Sequence, residues 1–196
     1  MLDPLRAKLG NYAPLKLAIV AVLIGFVVGA AALGGFGTAL TVTNTEAFCI
    51  GCHEMKDNVF KEYQGTIHDS NRTGVRATCP DCHVPKELIP KLKRKMRASL
   101  ELYGAITGKI DTREKFLAER YKMAVSVWKS MKDVDSRECK NCHSFDHMSK
   151  DLQTEKAQSR HTKAKKENMA CIECHFGIAH TEPDGPGPQE IDLLAK

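Results

Sequence analysis

The sequence predicts an all-α chain: one N-terminal membrane-spanning helix, then a small helical domain. Three observations carry this. Residues 17–45 contain no charged side chain. Apolar side chains between residues 88 and 131 recur at helical spacing. No stretch shows the alternation of a half-buried strand. A chain of 196 residues has room for one small domain beside an anchor.

The anchor comes first. Residues 17–33 are apolar throughout, and with their flanks they approach the ~20 residues that cross a bilayer. Arg6, Lys8 and Lys16 precede the run, so the positive-inside rule keeps residues 1–16 in the cytoplasm and sends everything after about residue 41 outside. A cleaved signal peptide has an apolar stretch of only about 7–15 residues, so an uncleaved anchor over residues 17–40 is expected. Gly25 and Gly29 form a small-xxx-small pair, which leaves a homodimer open.

The outer part spells Cys-x-x-Cys-His four times: Cys49, Cys52 and His53; Cys79, Cys82 and His83; Cys139, Cys142 and His143; Cys171, Cys174 and His175. These motifs use all eight cysteines. Disulfides or two four-thiolate zinc sites could use eight cysteines, but neither requires a histidine directly after the second cysteine. With only 8 histidines in the chain, four such placements identify the attachment signature of c-type haem. The two thiols add to the haem vinyl groups, and the histidine is set under the iron. The expected architecture is therefore a small multihaem cytochrome c domain, residues 41–181, wrapped around four covalently bound haems. Aromatic residues make up only 6% of the chain, a thin supply for an ordinary core, and the macrocycles make up the difference. The net charge of +5 becomes about −3 once eight propionates are counted, so the basic excess needs no nucleic acid to explain it.

Cys49 and Cys79 are 30 residues apart, and Cys139 and Cys171 are 32 apart. His68 and His161 precede the second motif of each pair at nearly equal distance. This looks like a duplicated two-haem unit, about residues 45–85 and 136–180, joined by a helical segment over residues 86–135. In that segment Leu88, Leu92, Met96, Leu100 and Tyr103 form one stripe, crowded by Lys86, Lys91, Lys93, Arg94, Lys95 and Arg97. A basic amphipathic helix suits a membrane surface, an acidic partner or a solvated face. A second helix starts at Asp111 as N-cap with Glu114 three residues on. Its apolar face of Leu117, Tyr121, Ala124, Trp128 and Met131 is read as packing. Residues 182–196, rich in Pro and Gly at the start, are expected to be an extended, mobile tail.

Eight histidines could supply two ligands to each of four irons: the four in the motifs plus His68, His147, His161 and His180. His147 follows His143 by four residues. At helical spacing it lies on the proximal side and cannot reach the distal face of that haem, so it is read as structural or solvent-facing. The first motif continues to Met55, whose thioether either ligates iron or packs.

These residues resemble the NapC/NirT family of membrane-anchored tetrahaem cytochromes c. The resemblance covers nearly the whole chain. Its carriers are the anchor, the Cys-x-x-Cys-His-x-Met first motif, the paired spacings, residues 70–85 and the Gly177-Ile178-Ala179-His180 segment. It is nearest to the NapC branch, which serves periplasmic nitrate reductase. The resemblance implies a quinol dehydrogenase in the bacterial inner membrane, with its haem domain in the periplasm. Electrons would run from ubiquinol or menaquinol to a reductase for nitrate or, alternatively, for nitrite or N- or S-oxides; a terminal reductase or a plain carrier is the remaining contrast. It also implies Met55 as ligand of the first haem beside the quinol, leaving His53 uncommitted. His68, His161 and His180 become distal ligands, assigned by analogy to the fourth, second and third haems respectively. Glu101 takes the acidic place in the quinol site, and Arg94 or Lys95 the basic one. Leu100 stands where several relatives have lysine.

Overall fold

A computed structural model describes the backbone of residues 3–194 and the side chains of residues 14–191. The side chains of Arg6 and Lys8 lie outside the described residues. No strand occurs among the described residues, in line with the all-α expectation. The chain divides into two units, Met1–Asn44 and Thr45–Lys196.

The first unit is a single helix, α1 (Asp3–Val42), which begins well before the expected span and carries Pro14 inside it. Pro14–Val42 is long and apolar enough to cross a membrane. Leu17, Val22, Phe26 and Leu33 are each 70% exposed or more, on a helix with none of its span buried. Lipid accepts such a surface because every backbone polar group is satisfied inside the helix. The late hydroxyls are satisfied as well: Thr38 Oγ1 donates to Gly34 O and Thr41 Oγ1 to Gly37 O.

The second unit is a series of short helices on two longer ones. In order they are α2 (Glu46–Cys49), a π-helical turn (Met55–Phe60), α3 (Lys61–Tyr63), α4 (Cys79–His83), α5 (Leu88–Ile106), α6 (Arg113–Asp133), α7 (Arg137–Lys140), a 3₁₀ turn (Phe145–His147), α8 (Glu155–Glu167), a second 3₁₀ turn (Cys171–Glu173) and α9 (Pro188–Leu194). Helix α6 is capped by Thr112, whose side chain accepts from Lys115 N, and not by Asp111 as the sequence pattern suggested. Asp111 is occupied by the Lys115 ammonium, 2.7 Å away.

Helix α6 organises the one cluster of buried apolar residues among the described residues. Trp128, Ala170 and Ile172 are its centre, with Tyr121, Ala124, Met131, Phe176 and Ile191 around them. The predicted apolar face of α6 thus packs on the fourth motif and on α9, apart from Leu117, which is exposed. Trp128 meets Phe176 edge-on at 5.4 Å. The 182–196 tail therefore differs from expectation over its described part. Tyr121 Oη donates to Pro186 O at 3.0 Å, and α9 returns Ile191 to the core. Aromatic burial outweighs the chain entropy that Pro and Gly suggested. At the end of α6, Asp135 and Ser136 both take positive φ, a sharp reversal that starts α7. Ser136 is fully buried, and its Oγ accepts from Ile172 N, tying the third motif to the fourth.

Candidate functional site

The second, third and fourth attachment motifs are each set by one helical turn, the second as helix α4. His143 N donates to Cys139 O and His175 N to Cys171 O, which brings the histidine onto the side of the first cysteine. In two motifs the residue before the second cysteine is acidic and closes the turn on itself. Asp81 Oδ2 accepts from Thr78 N at 2.7 Å, and Glu173 Oε2 from Ala170 N at 2.7 Å. None of the eight cysteines is in a disulfide. No group of three or more metal-binding side chains occurs among the described residues, so a zinc reading has no site.

Three pairs of imidazoles face each other. His83 and His180 have ring centroids 6.2 Å apart, His68 and His143 6.2 Å, and His161 and His175 6.0 Å. A metal taken at about 2 Å by one nitrogen of each of two opposed rings sets their centroids about 6 Å apart. Each pair joins one motif histidine to one distal candidate. The partners are not those assigned by analogy: His180 faces the second motif, His68 the third and His161 the fourth. Sequence spacing could not find this, because His68 and His180 cross between the halves while His161 stays within its own. The expected two-haem units are thus interleaved.

The rings are prepared for ligation. His161 Nδ1 bonds Gln153 Oε1 at 2.7 Å and His180 Nδ1 bonds Val59 O at 3.1 Å, leaving Nε2 of each free for its opposed ring. His68 Nδ1 is a buried nitrogen without a hydrogen-bond partner; the Ile178 backbone lies beside it, short of bonding geometry. Burial pushes the His83 imidazolium down to about 4, helped by the His180 and Arg94 charges. Burial likewise lowers His68, His175 and His180. Neutral imidazole is the form that binds metal. Ring spacing, tautomer and protonation together fit haem iron.

The first motif is built differently. His53 Nε2 bonds Asp111 O at 3.0 Å and its Nδ1 lies 3.4 Å from Glu54, so its pKa is raised, chiefly by the Asp111 carbonyl. It faces a cavity of about 480 Å³ whose lining includes Glu54, Asp57, Asn58, Asp111 and Arg113. Met55 opens the π-helical turn and lines a separate apolar hollow with Cys49, Val59, Tyr63 and Cys79. His53 and Met55, two positions apart at the start of this turn, thus line different cavities. His147 is exposed on its 3₁₀ turn and opposes no other histidine among the described residues.

Helix α5 carries the remaining candidates. Arg94 Nη1 lies 3.0 Å from Glu101 Oε1, its Nη2 3.3 Å from Oε2, and its Nε donates to His83 O at 3.2 Å. Lys95 is half-buried, which lowers its ammonium pKa, and it is close enough to Cys49 to interact with it. Residues that sequence reading did not single out are Gln153, Glu62 and Arg120. Their partners are distant in sequence or lie on irregular backbone, so no spacing marks them.

A model of the NapC/NirT cytochrome c family, N-terminal region, matches residues 13–185. The denitrification system component NirT of Stutzerimonas stutzeri is 54% identical over 170 residues, covering 87% of this chain and 85% of that protein. Cytochrome c-type protein NapC of Escherichia coli K12 is 52% identical over 172 residues, covering 87% and 86%. Cytochrome c-type protein TorY of Escherichia coli O157:H7 is 46% identical over 173 residues, covering 86% of this chain and 46% of that protein. No solved structure matches. The attachment turns, the opposed imidazoles and a match that runs from the apolar helix almost to α9 all lead to one assignment: this chain belongs to the NapC/NirT family of tetrahaem cytochromes c.

Proposed function

We propose that this chain oxidises membrane quinol on the periplasmic face of the inner membrane and feeds periplasmic nitrate reductase. Electron transfer through four c-type haems to a periplasmic reductase is the activity of the family; quinol as donor, nitrate reductase as acceptor and the orientation are the parts proposed here. One observation carries the reading: the motifs adjoin in chain order. Helix α2 packs on α4 and α4 on α7, while Cys139 of the third motif lies within electrostatic reach of Cys171 of the fourth. Four redox centres in series, with three imidazole pairs, suit one-electron relay and leave no open distal face on the last three for a terminal reductase.

Haem supplies the one-electron chemistry. The chain supplies ligands, order and a place for the protons. Met55, His83 with His180, His143 with His68 and His175 with His161 are the proposed axial ligands; the eight cysteines are the anchors. Quinol sheds two protons with its two electrons. Glu101 is placed to accept them, because its carboxylate is exposed beside Arg94, which holds it through a two-point contact. Lys95, on the Cys49 side of α5, is the basic group for the quinol oxygen. The acceptor is proposed from the NapC relatives, with the denitrification component NirT extending the class to other periplasmic reductases. Orientation follows from Lys16 at the start of the span, with residues 45–196 in the periplasm. A homodimer along Gly25 and Gly29 of α1 remains compatible with their open faces.

The test mixes the purified haem protein with a reduced short-chain quinol and follows the haem absorption band. Rapid reduction is expected, with loss of nitrate-dependent growth on deletion. Protein that ignores quinol yet accepts electrons from dithionite would overturn the donor; unimpaired growth on nitrate would overturn the acceptor.

A further inference from the structure

We propose that the Glu62–Arg120 ion pair is a positioning device for one iron ligand: it locks the peptide next to His180 so that His180 faces His83.

His180 needs such a device. It sits between the 3₁₀ turn Cys171–Glu173 and α9, on backbone with no helical ladder of its own. Its opposed partner His83 ends the regular helix α4. A ligand pair works only if both members are held to within a fraction of an ångström. The structure supplies the missing restraint from two other elements. Arg120, on α6, donates through Nη1 to Glu62 Oε1 at 2.7 Å, and its Nη2 donates to the Thr181 carbonyl at 2.7 Å. Glu62, on α3, accepts from Thr181 N at 2.9 Å. Both backbone polar groups of Thr181 are therefore taken by one ion pair, immediately after the ligand. From the other side, His180 Nδ1 donates to Val59 O at 3.1 Å, and Val59 lies in the π-helical turn that leads directly into α3. Residues 59–62 thus hold His180 twice, once by its ring and once by its backbone.

The pair is built for the task. The Arg120 and Glu62 side chains are only 11% and 16% exposed, so neither is a solvated surface charge. Burial alone would raise the Glu62 pKa; the Arg120 guanidinium and the Thr181 N–H outweigh it, and the carboxyl stays ionised. Arginine suits the geometry, because one rigid planar fork holds the Glu62 carboxylate and the Thr181 carbonyl in fixed directions, whereas a lysine ammonium is a point charge on a flexible stem. His161, by contrast, stands on the regular helix α8 and needs only the Gln153 contact.

This inference rests on His180 and His83 serving the same iron, and the experiment separates the two claims. Four variants of the full haem protein are compared by electron paramagnetic resonance and by carbon monoxide binding to the reduced form, with haem counted per chain. Arg120→Lys and Glu62→Gln are expected to keep four haems. Each should convert part of one low-spin bis-histidine signal to high spin and add carbon monoxide binding of up to one equivalent. The double variant Glu62→Leu with Arg120→Met removes both charges together, which buried pairs tolerate well in stability. It is expected to show the same spectral change, whereas a simple brace between α3 and α6 would leave the native spectrum. His180→Ala should abolish that one signal completely. If His180→Ala changes no low-spin signal, the ligand assignment falls. If it does, while all clamp variants keep native spectra and carbon monoxide binding, the positioning role falls and the assignment stands.

Discussion

Two side chains two residues apart, His53 and Met55, show how local geometry separates chemical roles. His53 is held at both ring nitrogens, and Met55 faces the apolar hollow beside Cys49. Methionine ligation raises a haem potential relative to histidine. Met55→His is therefore expected to lower the first-haem potential by at least ~60 mV, a tenfold shift in a one-electron equilibrium, read by potentiometric titration. Glu101→Gln should leave four haems attached and slow quinol-driven reduction about 10²-fold, measured by stopped flow; unchanged turnover would remove Glu101 from the proton path. Lys95 gives a pH signature. Its pKa is depressed by burial, so it is charged below that value and loses its proton at a pH where ordinary lysines keep theirs. Quinol oxidation should decline on the alkaline side, and Lys95→Arg should carry the decline to higher pH, since guanidinium stays charged.

Among the elements, α6 does most to hold the haem domain together. Its Trp128 is 5% exposed and contacts both the fourth motif segment and, through the cluster around it, α9. Trp128→Ala should cost about 3–5 kcal/mol in denaturant unfolding, because a large side chain leaves a cavity where few other buried apolar groups can close in. The attachment turns depend on shorter-range devices. Asp81 and Glu173 each accept from the backbone N–H three residues earlier, closing a turn too short to persist by its own hydrogen bonds. Helix α5 differs from both. Leu88, Met96, Leu100 and Tyr103 of its predicted apolar stripe are exposed, so the stripe is not used to build the core.

At the scale of the molecule, the opposed imidazoles cross between the two halves of the haem domain, and under the proposed ligation they tie it into one cooperative object. The second motif takes its opposed histidine from beyond the fourth, and the third takes His68 from before the second. A fragment of residues 45–135 should attach haem yet give no native bis-histidine signal, although the spacing of its motifs suggests a self-contained half. Residues 45–196, which form a unit of their own, should fold with four haems when exported without α1 and should leave the membrane fraction.

Features that depend on contiguous residues could be read directly from the chain. Haem attachment needs two thiols and an imidazole within one helical turn, so all four sites were legible, as was the anchor, whose requirement is only a run of apolar side chains. The helix from Leu88 was legible as far as Tyr103, since its signal is periodic, and the structure carries it on to Ile106. The candidates His68, His161 and His180 were legible by count once spacing set His147 aside; their role as distal ligands came from family resemblance. Their pairing, the return of α9 to the core and the Glu62–Arg120 clamp were decided by the tertiary structure. Each depends on which distant segments meet, and the matching positions of His68 and His161 misled because equal spacing along a chain does not dictate equal partners in space. Opposed ligands must approach a metal from two sides, and a short stretch of backbone cannot supply both.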